Sequence, residues 1–512
     1  MIPRPDDRHG SADGGVSGAA AGDSVSDGVS AVPAGRRVLV AGAGMAGAAA
    51  ARALLAAGAD VLVVDRRDGA ALQELASLGA RVVVADAPGA EFLAGVDEVM
   101  LSPGFAPHHP LAVAAVAAGV DTYSEPELAW RLRGPDAPVW LAITGTNGKT
   151  TATTMLAAIL RAAGLRTAAL GNIGAPLVDA QTGYDVLAVE LSSFQLHWSR
   201  DLAPPVGALL NLADDHLEWH GDRAAYADAK TAIWRGAGSG GSGGGAGSGG
   251  GAGSGGGAGL AGGAGLAVGN LDDPEVAARL AAVAGRTVGW TLGVPAPGQL
   301  GVVDGVLVDA ALTGSGPTAL IEADRIRPAG AHNVSNALAA AALALAYGVS
   351  REAVHDGLAG YVPEPHRNAT VATVGGVCFV DDSKATNPHA AYASLSAYPR
   401  VVWIAGGQLK GVDINDLVAR VADRLAGAVV LGVDRALIVQ ALARHAPDVP
   451  VVSVDSIDDG AMGQAVSAAA ALAGPGDTVL LAPAAASLDM FASYAARGEA
   501  FAAVVRALPE AP

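Results

Sequence analysis

Lys149 and Thr150 close a glycine loop, Thr144-Gly145-Thr146-Asn147-Gly148-Lys149-Thr150, that follows the apolar run Val139-Trp140-Leu141-Ala142-Ile143 and opens an alanine-rich stretch. Strand, loop and helix in that order aim backbone N–H groups at one point, and the helix N-terminus adds positive potential there. A nucleotide triphosphate is the natural ligand: Lys149 can reach its outer oxygens, and the Thr150 hydroxyl can hold Mg²⁺. Only Thr146 and Asn147 separate Gly145 from Gly148, so this is a shorter variant of the general phosphate loop. An ordinary helix cap is the plain alternative, and the preceding strand argues against it.

A second glycine set, Gly42-Ala43-Gly44-Met45-Ala46-Gly47, lies between a strand-like run and a helix, with Asp65 ending the next strand. That layout places a pyrophosphate at a helix N-terminus and an acid near a ribose or base, which suits NAD and a uridine diphosphate alike. Ser102-Pro103-Gly104 adds a turn at the same sheet edge, or is a plain β-turn. Glu190 ends a buried strand one βαβ unit after the phosphate loop, where an acid commonly holds Mg²⁺, although a strand-end glutamate is more often a cap. His216 returns to the same edge after the run 206–210, and Lys230 follows on an alanine-rich helix, where a lysine is usually a solvated surface residue. Asn172 reads as a turn-former, and Asn333 and Asn336 share one helical face and can reach one ligand together. The segment Asp381-Asp382-Ser383-Lys384-Ala385-Thr386-Asn387-Pro388 sets acids, a base and hydroxyls after a strand, a combination that can bind a zwitterionic amino acid.

The elements that must position these residues are strand-like runs alternating with alanine-rich helical stretches, as in 37–40, 61–64, 186–189, 401–404 and 478–481. The alternation predicts parallel sheets covered by helices. A chain of 512 residues holds about three domains at ~150 residues each. Turn residues at Gly134-Pro135 and Pro363 predict units at 35–134, 135–362 and 363–512. Residues 1–34 lack apolar periodicity and are expected to be disordered, and 236–265, almost all Gly, Ser and Ala, is expected to be a flexible surface loop. A net charge of −18 argues against a non-specific nucleic-acid binder, whose affinity comes from Lys and Arg on phosphates. The single cysteine, Cys378, excludes an intrachain disulfide and is expected in the core. The absence of a long apolar span or an N-terminal h-region predicts a cytoplasmic protein with no membrane partner.

The phosphate-loop variant, Asp215-His216, Ala229-Lys230, His332-Asn333 with Asn336, Pro365-His366-Arg367 and the segment 382–388 together resemble the Mur ligases, in order and over about 35–508. The segment 382–388, with Gly407-Gln408-Leu409-Lys410 and Ser487-Leu488 through Tyr494, is similar to the members that add D-glutamate. The resemblance implies a Rossmann-like UDP-binding domain, a central phosphate-loop ATPase domain on a parallel sheet and a C-terminal Rossmann-like α/β domain. It implies an ATP-dependent amide-forming ligase of peptidoglycan precursor synthesis, acting as a monomer through an acyl phosphate on ATP, UDP-N-acetylmuramoyl-L-alanine and D-glutamate. ATP would be held by Gly145, Thr146, Asn147, Gly148, Lys149, Thr150, Thr151, Asn333, Asn336, Arg367 and Asp382. The UDP substrate would be held by Gly44, Met45, Ala46, Asp65, Arg67, Ser102, Pro103, Gly104, Asn172, Ser192 and Gln195. D-Glutamate would meet Lys384, Thr386, Lys410, Ser487, Leu488 and Tyr494. Two Mg²⁺ sites would draw on Thr150, Glu190, His216 and a carbamylated Lys230, and Lys149, Lys230, His216 and Glu190 would carry the chemistry. An NAD-dependent dehydrogenase built on Gly42–Gly47 and a non-catalytic nucleotide sensor are the alternative readings.

Overall fold

A computed structural model describes residues 34–238, 265–314, 316–456 and 460–508. Three sheets organise them. The first is parallel throughout, in the order Arg81–Val84, Asp60–Asp65, Arg37–Ala41, Glu98–Leu101, Asp121–Tyr123. Strand order reverses beside Arg37–Ala41, so the glycine loop that follows it opens at the carboxyl edge, where α/β sheets bind ligands.

The central sheet runs Thr318–Glu322, Val306–Asp309, Gln299–Val303, Arg286–Trp290, Leu266–Asn270, Val206–Leu209, Val139–Thr144, Val186–Glu190, Ala169–Gly171. The third runs Ala369–Val374, Val377–Asp381, Thr478–Leu481, Val401–Gly406, Leu425–Leu431, Val451–Ser453. The expected parallel sheets are present, with antiparallel additions at two edges. Gln299–Val303, Val306–Asp309 and Thr318–Glu322 pair antiparallel, as do Ala369–Val374 and Val377–Asp381. For two of these pairs the cause is local: Asp304-Gly305, between Gln299–Val303 and Val306–Asp309, and Gly375-Gly376, between Ala369–Val374 and Val377–Asp381, all have positive φ and make two-residue hairpin turns without a crossover helix.

Alanine decides how closely the central helices pack. In the helix Ala331–Tyr347 every residue from Asn336 to Ala346 is buried, and it lies against the phosphate-loop helix Lys149–Ala162. On the helix Arg351–Ala359, a Cβ added at Gly357 would collide with the Ile159 backbone, so only a residue without a side chain allows this approach. Each domain centres a tryptophan or aromatic anchor on its sheet, with Tyr123, Trp140, Trp290 and Trp403 all fully buried.

The expected disordered extension 1–34 and most of the glycine-rich segment 236–265 lie outside the described residues. The start of that segment is corrected: Arg235–Gly238 is a helical turn whose Gly236 packs on the Pro204 carbonyl, and Gly265 sits beside it where Leu266–Asn270 begins. Cys378 is half-buried on the strand Val377–Asp381, packed at the margin of the third domain's core. Among the described residues no helix is long and apolar enough to cross a membrane.

Candidate active site

The central site begins where Val139–Thr144 ends. Gly148 caps the next helix with φ 80°, and a side chain there would strike Asn336, so the loop turns tightly against the helix 331–347. Lys149 Nζ donates to the carbonyls of Gly145 (3.0 Å) and Thr146 (2.9 Å), and burial draws its pKa below the ordinary lysine value. Asn147 is bound to Asn211 twice, through its own N–H (2.8 Å) and its carbonyl (3.1 Å). Thr146 Oγ1 meets the Tyr226 hydroxyl at 2.8 Å and accepts from Ala213 N–H. Thr151 is buried one residue further on.

Glu190, 1% exposed, lies across from this loop. Thr150 Oγ1 donates to its Oε2 (2.7 Å) and Asn172 Nδ2 to its Oε1 (2.8 Å). Lys230 is 2% exposed and donates to the Gly145 carbonyl at 2.8 Å, with its ammonium 4.8 Å from the Tyr226 ring centre. Burial, then the neighbouring Lys149, pushes Lys230 well below the lysine range, while Asp215 and Glu190 oppose the shift. His216 sits in a left-handed conformation, 3.5 Å from Asp215 and packed on Phe194, and burial lowers its pKa. Sequence reading missed His220: its Nε2 lies 3.0 Å from Ser193 Oγ, burial holds it down to about 4, and it packs against Phe194, Trp219 and Tyr226. The Trp-His pair on a four-residue turn carried no periodic signal that would have marked it.

Hard oxygen donors suit Mg²⁺, and the Glu190 carboxylate with the Thr150 hydroxyl supplies them at one point. Among the described residues no three His, Cys, Asp or Glu side chains form a metal cluster, so Glu190 and Thr150 by themselves do not complete a metal's coordination. Lys230 fits such a completion: as an ammonium it is buried with one neutral carbonyl partner beside a second lysine.

In the first domain Asp65 turns inward on the glycine loop, accepting from Ala43 N–H (2.6 Å) and Arg67 N–H (3.1 Å). Burial raises its pKa, and these backbone donors outweigh burial to leave it below the usual value. Ser102 Oγ donates to the Gly42 carbonyl, and a side chain at Gly47 would strike that same carbonyl, which holds Gly44, Met45 and Ala46 at the helix start. Met45 is 72% exposed. Ala46 and Pro103, next to Gly104, line a small hollow with Ser124, Glu125 and Gln195 at the seam with the central domain. Ser192 and Gln195 are spent on each other: they form a capping box at the helix Ser193–His197, and Asn172 is spent on Glu190.

In the third domain Lys384 lies 4.0 Å over the Tyr494 ring, and burial pushes its ammonium down to about 8. Electrostatically it feels Arg367, Lys149 and Glu190, so this segment faces the phosphate loop. Asp382 accepts from Asn368 N–H and burial raises it to about 6, with Arg367 opposing. Asn336 Nδ2 donates to Asn333 Oδ1 (3.1 Å), completing the pair expected on one helix face. Lys410 is left-handed, Ser487 is buried, and Leu488 is 63% exposed. Thr386 is half-buried next to Asn387, the cap of the helix Pro388–Leu395. Arg497, three residues beyond Tyr494, has no ligand assigned to it from the sequence. It is 1% exposed and donates to Ser383 Oγ and O (both 2.9 Å) and to the Ala485 carbonyl (3.1 Å), tying the Lys384 segment to the Ser487 segment.

A phosphate loop between two Rossmann-like domains, with lysines from the central and last domains converging, defines a three-domain nucleotide-dependent α/β enzyme. Family descriptions match in chain order: "Mur ligase MurD-like, N-terminal domain" over 36–124, "Mur ligase middle domain" over 143–243 and "Mur ligase, glutamate ligase domain" over 366–485. The chain belongs to the Mur ligase family. The UDP-N-acetylmuramoylalanine–D-glutamate ligase of Streptomyces avermitilis is 50% identical, covering 93% of this chain and 98% of that protein. Its namesake in Streptomyces coelicolor is 51% identical over 93% and 98%. The crystal structure of UDP-N-acetylmuramate-alanine ligase from Thermotoga maritima shares the fold, with a TM-score of 0.52 at 16% identity, covering 92% and 99% of the two chains. The dehydrogenase reading of Gly42–Gly47 is dropped, since that loop falls within the N-terminal match.

Proposed function

We infer that this chain is an ATP-dependent ligase that joins D-glutamate to UDP-N-acetylmuramoyl-L-alanine in peptidoglycan precursor synthesis. The identity to the Streptomyces ligases across all three domains carries the reading. The enzyme acts in the cytoplasm as a monomer on these small molecules, and its domains divide near Gly134-Pro135 and Pro363. A carboxylate resists attack by an amine because its oxygen is a poor leaving group, so ATP first converts it to an acyl phosphate. The N–H groups of 145–150 and the Lys149 ammonium neutralise the transferring phosphoryl group. Asn333 and Asn336 hold the adenine side, with Arg367 and Asp382 from the closing domain. Asp65, Arg67 and the glycine loop Gly44–Ala46 with Ser102–Gly104 hold the UDP moiety; Ser192, Gln195 and Asn172 act there by shaping the seam.

Glu190, Thr150, His216 and Lys230, carbamylated so that a cation becomes an anion, would hold up to two Mg²⁺. Bound Mg²⁺ would neutralise phosphate and oxyanion charge. Lys384, Lys410, Thr386 and Ser487 bind the two carboxylates of D-glutamate, Tyr494 and Leu488 flank it, and its amine attacks the acyl carbon as phosphate leaves. Multiple-turnover ADP release should require both UDP-N-acetylmuramoyl-L-alanine and D-glutamate. Sustained ADP formation without either, or with L-alanine replacing D-glutamate, would overturn the reading.

A further inference from the structure

We propose that His389 is a positioning residue through which the C-terminal domain grips the phosphate loop. Asn147 sits between the two loop glycines, and its backbone is pinned to Asn211 of the central domain. Its side chain instead crosses to the other domain: Nδ2 lies 2.9 Å from His389 Nδ1, and Oδ1 lies 3.5 Å from Asn387 Nδ2, a distance at which little energy remains. Because an amide nitrogen can only donate, His389 Nδ1 must accept, so the bond requires the neutral ring with its proton on Nε2. Desolvation by its neighbours, then Arg420, lowers the His389 pKa and favours that form even though the residue keeps an exposed side, while Asp273 of the central domain opposes it.

The location is what gives the contact leverage. His389 stands in the first turn of the helix Pro388–Leu395, whose start is fixed by Asn387 accepting from Ala390 N–H (2.8 Å). That turn continues directly from Lys384 and Thr386. One short segment therefore carries both the amino-acid contacts and the grip on the loop, so a shift of either is felt by the other. The proposal rests on reading 144–150 as the ATP loop.

The test compares wild type with His389→Ala and His389→Asn, because an asparagine oxygen stands where Nδ1 stood and can accept the same bond. Small-angle scattering of the ligand-free proteins should show His389→Ala more expanded than wild type and His389→Asn compact. Calorimetric titration with a non-hydrolysable ATP analogue should show about three- to tenfold weaker binding for His389→Ala, the worth of one hydrogen bond, with recovery in His389→Asn. Equal compactness and affinity in His389→Ala, or no recovery in His389→Asn, would overturn the proposal. Failure of wild type to bind the analogue would instead count against the ATP-loop reading, with scattering alone then deciding the grip.

Discussion

At the residue scale, burial rather than proximity of opposite charge sets the state of the site lysines Lys149, Lys230 and Lys384. Lys384 is the clearest case, its ammonium lowered to about 8 by desolvation with Arg367 and Lys149 adding to the effect. A lysine with a depressed pKa is charged below that value and neutral above it, so D-glutamate should lose a carboxylate partner as pH rises through about 8. The kcat/KM for D-glutamate should therefore fall above that pH, since this ratio reports the free enzyme. Lys384→Ala should raise the D-glutamate KM well over tenfold, as losing one partner of a buried charge pair costs roughly 2–5 kcal/mol, and should erase the inflection. A D-glutamate KM unchanged in Lys384→Ala would remove Lys384 from the amino-acid site. Arg497 shows the complementary principle: a buried guanidinium becomes structural when carbonyl and hydroxyl acceptors surround it.

At the scale of elements, small side chains bring helices close enough to set the phosphate loop. The helix Lys149–Ala162 begins at the loop, and Gly357 on its neighbour touches the Ile159 backbone. Gly357→Val should force the helices apart and cost roughly 1–3 kcal/mol, visible as a lower melting midpoint together with a higher ATP KM. Gly463, on the helix Ala461–Leu472, is the contrast: among the described residues nothing lies within 4 Å of an added Cβ. Gly463→Ala should raise stability by roughly 0.5–1 kcal/mol through helix propensity, leaving turnover unchanged. A melting midpoint unaffected by Gly357→Val would mean that the helix contact is softer than its geometry.

At the scale of the molecule, two buried carboxylates join the first domain to the second: Glu125, which accepts from Val178 N–H (2.8 Å), and Glu127. Glu127 is 0% exposed, pairs with Arg131 at 3.0 Å and accepts from the N–H groups of Arg200, Asp201 and Leu202. It lies on the helix Glu125–Arg131, the connection between the first sheet and the central one. Glu127→Ala leaves three N–H groups without their acceptor and takes one of three carboxylate partners from Arg131, which keeps Asp121 and Asp201, a loss on the order of 1–3 kcal/mol. Calorimetry should show a lower transition, and the KM for the UDP substrate should rise while that for ATP holds. An equal rise in both would place the damage in the central domain instead of the seam.

Local order along the chain made much of this protein legible: the strand, loop and helix around Lys149, the fingerprint ending at Asp65, and the segment around Lys384 each span a few residues whose glycines and apolar spacing act on their own neighbourhood. The same short-range logic contained the antiparallel hairpins at Asp304-Gly305 and Gly375-Gly376, which the broader alternation of strands and helices concealed. Other features needed the tertiary structure. That Gln195 caps a helix, that Asn172 holds Glu190, that Arg497 ties two loops and that Asn147 meets His389 all depend on partners brought together by the fold. Side-chain commitments of this kind are decided by three-dimensional distance and by the need of each buried polar group for a partner, neither of which is written in sequence spacing.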